Sequence, residues 1–62
     1  MNTPGRKASP AEIRHIVRQS AAIHPTWTFT DHLHYLENDE FIDIDAQVFI
    51  LAKDTYEQAR HS

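Results

Sequence analysis

Cysteine is absent from the 62 residues, and glycine occurs once, as Gly5. Without cysteine there is no disulfide staple, no thiolate zinc ligand and no thiol nucleophile, and the composition fits a reducing compartment. With one glycine there is no glycine-rich phosphate loop, and none of Ser9, Ser20 and Ser62 sits in a Gly-x-Ser-x-Gly elbow. Long apolar runs are missing too: nothing approaches the roughly 20 residues of a membrane span, and no apolar run follows the cations of MNTPGRK as in a secretory leader. A cytoplasmic chain without a membrane partner is expected.

A chain this short forms one domain and buries only about 60% of the surface its unfolded form exposes. Its core supplies roughly 3–5 kcal/mol unless a partner helps. General acid and base catalysis needs a shaped, water-excluding site, and so small an interior offers little room for one. The expectation is a protein that is not an enzyme and carries no cofactor and no metal.

Positive charge is also scarce. Six Lys and Arg stand against nine Asp and Glu, for a formal net charge of −3. The distribution is uneven: Arg6, Lys7, Arg14 and Arg18 face Glu12 alone in residues 1–24, whereas residues 25–62 hold eight carboxylates against Lys53 and Arg60. An acidic balance makes nucleic acid the less favoured partner.

Local patterns predict three helices and an all-α fold. Residues 1–8 have no apolar periodicity and read as a flexible basic arm, with residues 9–62 as a single three-helix domain. Ser9-Pro10-Ala11-Glu12 combines a serine N-cap, proline at the first helical position and glutamate three residues after the cap. Ile13, Ile16, Val17, Ser20 and Ile23 then fall on one stripe, and Pro25 ends the helix at His24 or one residue before. Thr28-Phe29-Thr30-Asp31 has capping-box spacing and opens a short second helix over about residues 29–38, with Phe29, Leu33 and Leu36 on one face. A third helix runs from about Asp43 to Arg60, with Ile44, Val48, Leu51, Ala52, Thr55 and Ala59 on one arc, widened by Phe49 and Tyr56. Ile50 falls outside that arc, on the side that should face water. The alternative is an α+β fold in which EFIDI and QVFIL form a short hairpin, although no Asn-Gly or Asp-Gly turn joins them.

The stretch LENDEFIDID holds five carboxylates among four large apolar side chains. As a calcium loop starting at Asp43 it fails, because Val48 stands where glycine is required and Asp54 where the bidentate glutamate belongs. The five histidines do not make a zinc site either: on a helix His32 and His34 point about 200° apart, and no His-x-x-x-His pair exists. The histidines read as surface or helix-terminal residues. Asp43 or Asp45 can cap the third helix, with Phe41, Ile42 and Ile44 turning the bend onto the core. Glu37, Asp39 and Glu40 lie at a helix C-terminus, where the dipole disfavours them, and with Asp43 they form an acidic patch suited to a basic protein surface.

The third helix also carries more apolar surface than one buried stripe requires. Phe49, Ile50 and Tyr56 are therefore expected to meet a second copy, as a homodimer, or a larger protein target. These features together predict a small regulatory or inhibitory protein of a bacterium or a mobile element such as a phage, binding a larger protein through the acidic patch and the apolar face. The alternative is a small dimeric DNA-binding regulator touching the backbone with Arg6, Lys7, Arg14 and Arg18. In a helix-turn-helix arrangement its recognition helix would be the third, whose Asp43, Asp45, Asp54 and Glu57 repel phosphate.

Overall fold

A computed structural model describes residues 5–61 as three helices: α1 (Pro10–Ile23), α2 (Phe29–Asn38) and α3 (Ala46–His61). Each start has a side-chain cap. The Ser9 hydroxyl accepts the Glu12 N–H at 3.2 Å with Pro10 at the first position of α1, and the α1 C-terminus closes with the His24 N–H donating to the Ser20 carbonyl. In α2 the reciprocal box forms, Asp31 N–H donating to Thr28 Oγ1 at 3.3 Å and Thr28 N–H to the Asp31 carboxylate at 3.0 Å. In α3 the cap is Asp45, whose carboxylate accepts the Val48 N–H at 2.8 Å and whose carbonyl accepts the Phe49 N–H at 2.9 Å. The helix therefore begins later than Asp43, because the Asp43 N–H is drawn into an extended pairing with Arg6.

α1 and α3 pack most extensively, and α2 lies against both. Ile13 and Val17 of α1, Leu36 of α2, Ala52 of α3 and Ile42 from the bend before α3 form the buried core. Ile16, Phe29, Leu33, Ile44, Val48, Leu51 and Tyr56 pack around it, half-covered. Ile42 is 1% exposed. Burying such a side chain is worth about 1.5–3 kcal/mol, enough in a small domain to fix where the chain between α2 and α3 must pass.

Three expectations are corrected. The hairpin alternative fails, because residues 46–61 are helical and the one extended pairing among the described residues is an isolated parallel bridge between Arg6 and Ile42. Ile23 is 69% exposed instead of completing the α1 stripe, since it is the last residue of the helix and the chain turns away there. Phe41, expected on the core, is 68% exposed. Its backbone sits at φ 56°, in the left-handed region, which directs Ile42 inward in its place.

Candidate protein-binding surface

The bend between α2 and α3 is organised by the carbonyls at the end of α2. The Tyr35 carbonyl accepts the N–H groups of Asp39 and Glu40, at 2.9 and 3.1 Å, and the Leu36 carbonyl accepts that of Ile42 at 2.9 Å. Reaching that last bond takes Phe41 through positive φ, a conformation that disfavours a residue with a Cβ by roughly 1–2 kcal/mol. The strain is offset by burial of Ile42, and it leaves an aromatic ring held out into solvent.

Residues 5–7 run alongside this bend. Arg6 N–H donates to the Phe41 carbonyl at 2.6 Å, and Asp43 N–H donates to the Arg6 carbonyl at 3.0 Å. The Arg6 guanidinium donates to the Glu40 carbonyl at 2.8 Å and reaches the carboxylates of Glu12 at 2.8 Å and Glu40 at 3.2 Å. Lys7 Nζ lies 2.9 Å from the Asp43 carboxylate and 3.7 Å from that of Asp45. The Arg6 contact holds Glu12 below the ordinary carboxylate range, and the Val48 amide, helped by Lys7, does the same for Asp45. The segment approaches so closely that a Cβ on Gly5 would stand 2.5 Å from the Asp43 nitrogen. No side chain fits there, which gives the single glycine its place.

The acidic stretch is thus divided by partner. Asp45 caps α3, Asp43 holds Lys7, and Glu40 is shared between Arg6 and the Tyr35 hydroxyl, which donates to it at 3.2 Å. Glu37 and Asp39 are exposed and outside the ion pairs of the described residues. The four predicted patch residues therefore share the bend, two of them already engaged by the chain itself.

Phe41 lies over a depression of about 750 Å³ bordered by Glu37 and Asp43. Asp43 also borders the next hollow, which shares Pro10, Gln47 and Leu51 with a third one lined by Ile50 and Asp54. These form one strip, with Phe41 at one end and Ile50, also 68% exposed, at the other. Phe49 and Tyr56 are displaced from Ile50 by about 100–120° around α3 and turn towards α2. Phe49 is 41% exposed and meets the Phe29 ring edge-on at 5.3 Å. Tyr56 is half-buried against Phe29 and His32, with its hydroxyl donating to the Trp27 carbonyl at 3.4 Å and Arg60 over its ring at 5.6 Å. Of the four cations proposed for DNA, Arg6 and Lys7 point at the chain's own carboxylates, while Arg14 is half-buried and Arg18 exposed along α1.

His32 corrects the surface assignment of the histidines, because it is 1% exposed. Its Nδ1 lies 2.9 Å from the hydroxyl of Ser20, which itself donates to the Val17 carbonyl at 3.2 Å. The hydroxyl and the ring nitrogen satisfy each other, with the tautomer of the neutral ring setting which of them donates. Burial pushes the His32 pKa below its ordinary value, with nearby Asp31 acting against that shift. Trp27 covers the pair, edge-on to His32 at 5.4 Å and stacked on His24 at 3.9 Å. The signal was Ser20, a polar residue on an apolar stripe that required a buried polar partner. Among the described residues no three His, Asp or Glu side chains are placed to hold a metal ion, and no helix is long and apolar enough to cross a membrane. Comparison with known proteins finds no matching family model, no matching curated protein and no matching solved structure.

Proposed function

We propose that this chain is a non-catalytic regulatory or inhibitory protein that docks on a larger protein through the strip running from Glu37 and Phe41 to Ile50 and Asp54. The observation that carries this reading is the pair of large apolar side chains, Phe41 and Ile50, each 68% exposed, with Glu37 and Asp43 beside the first and Asp54 beside the second. Exposed aromatic and aliphatic residues within a charged rim are the anchors from which interfaces draw most of their affinity. The surrounding carboxylates would steer encounter and select a basic partner face. Backbone strain at Phe41 supports the same reading, since strained residues concentrate at functional positions. Pairing of Arg6 and Lys7 with internal carboxylates weighs against the DNA-binding alternative, which needs those cations for phosphate.

The test is affinity capture from bacterial lysate with wild type, Phe41→Asn and Ile50→Glu, each checked for solution mass and helicity. Asparagine tolerates positive φ, so the first variant removes the ring without adding strain. A protein retained in stoichiometric amount by wild type and lost from both folded variants is expected. Equal retention by all three would overturn the reading, and a wild-type dimer dissolved by Ile50→Glu would reassign the Ile50 end to self-association.

A further inference from the structure

We propose that the extended edge Phe41–Asp43 is a docking slot for an extended glycine-arginine-lysine segment of a partner protein, and that residues 5–7 of this chain occupy it as a resident, displaceable ligand. The inference rests on the protein-binding reading above and supplies the chemistry of what is bound. A slot of this kind needs backbone groups to pair with a strand, and the edge offers two: the Phe41 carbonyl accepts from Arg6 and the Asp43 N–H donates to it. It also needs side chains that select sequence. Arg6 is read by Glu12 from α1 and by Glu40 from the bend, and Lys7 by Asp43 and by Asp45 at the start of α3. Carboxylates from three separate parts of the chain converge on two consecutive cations, and a third position accepts only glycine for lack of room. This is strand addition with charge selection, with the chain's own segment seated in the slot.

The segment is also held loosely enough to exchange. Lys7 is 77% exposed and Arg6 42% exposed in their ion pairs, and ion pairs in water contribute little and weaken with salt. Ala8 is the one apolar side chain of residues 5–8 that packs against the core. The advantage of the resident segment is tethering, which raises its effective concentration without adding contacts. A partner segment that brings further contacts along the Phe41 and Ile50 strip displaces it, exposing Glu12, Glu40, Asp43 and Asp45 to the partner's cations. The same exchange would make the strip less acidic towards non-partners while the slot is filled.

The experiment uses the full chain and a labelled peptide of the chain's own residues Gly5–Ser9, with blocked ends. Fluorescence anisotropy is read against wild type, Arg6→Ala/Lys7→Ala and Gly5→Val. The double variant removes the charges of the resident segment, and Gly5→Val dislodges its backbone while keeping them. Both should bind the peptide about tenfold more tightly than wild type, as expected when the resident segment occupies the slot nine-tenths of the time. Amide shifts on peptide addition should centre on Phe41 and Asp43, and adding Asp43→Asn with Glu40→Gln to the double variant should weaken binding several-fold at low salt and less at high salt. Folded variants that bind no better than wild type, or whose shifts lie away from residues 41–43, would overturn the slot. Loss of the slot together with an intact Phe41- and Ile50-dependent capture would remove this inference alone, whereas loss of the capture with an intact slot would remove the parent reading alone.

Discussion

Replacing Ser20 with alanine isolates the buried polar pair between α1 and α2. The substitution removes the hydroxyl 2.9 Å from His32 Nδ1 while keeping the helix and almost all of the volume, in a ring 1% exposed. A buried polar group left without a partner costs about 1–3 kcal/mol. Against the roughly 3–5 kcal/mol available to a core of this size, that is a large fraction of the whole. In a domain of about 60–100 residues each kcal/mol lowers Tm by about 4–8 °C, so a Ser20→Ala variant should melt well below wild type. His32→Leu combined with Ser20→Ala removes both polar groups and should restore most of the loss, giving a coupling of about 1 kcal/mol or more in the double-mutant cycle. The pair also sets a pH dependence. The folded-state pKa of His32 lies below its ordinary 6.5, so between the two values the unfolded chain binds the extra proton. The contribution is fully present above pH 6.5 and is lost as pH falls through the folded-state value. The assay is urea unfolding at several pH values followed through Trp27, the single tryptophan, whose ring lies against His32. A Ser20→Ala loss under about 0.5 kcal/mol, the range of ordinary surface changes, together with an unaltered pH slope in His32→Leu, would mean that the pair does not hold α1 to α2.

Other perturbations separate the frame from the surface. Thr28→Ala breaks the α2 capping box and should cost about 1 kcal/mol in urea unfolding. Ile42→Ala, in the core, should lose about 2–5 kcal/mol, but Phe41→Gly beside it should lose nothing or gain up to about 1 kcal/mol, because glycine accepts positive φ. Ile50→Glu should leave stability within about 0.5 kcal/mol of wild type, as measured by the same unfolding curves. Glu12 and Asp45 have folded-state pKa values below the ordinary 4.5 and 3.8, so their contacts persist above those values and are lost on acidification below them. Protection of the Arg6 and Asp43 amides, taken relative to their intrinsic exchange at each pH, should fall over that acidic interval, before the core opens.

The helices were legible because their signals are local. Ser9-Pro10, Thr28 with Asp31, and the Pro25 stop each act within a turn or two, and the apolar stripe of α1 from Ile13 to Ser20 points where its spacing says. Ile50 was legible as exposed for the same reason, since a wheel places it opposite Ala52 and Thr55. Phe41 was not, because its direction depends on a left-handed turn adopted so that Ile42 can reach both the core and the Leu36 carbonyl. Nor was His32, whose partner Ser20 lies on another helix. The acidic stretch was legible in composition but not in use. Pairing of Glu12, Glu40, Asp43 and Asp45 with Arg6 and Lys7 joins positions up to 38 residues apart, a separation that no local pattern carries.

Phe41, Ile50 and the carboxylates beside them, Glu37 and Asp39 among those outside the ion pairs of the described residues, are proposed as one working surface. The most direct measurement is titration calorimetry of the protein retained in capture against wild type, Phe41→Asn, Ile50→Glu and Glu37→Gln/Asp39→Asn, at low and high salt. A loss of about 1–4 kcal/mol is expected for each apolar variant at either salt, and for the amide pair a smaller loss that disappears at high salt. Equal affinity for all four proteins would contradict it, and the strip would then be solvated surface.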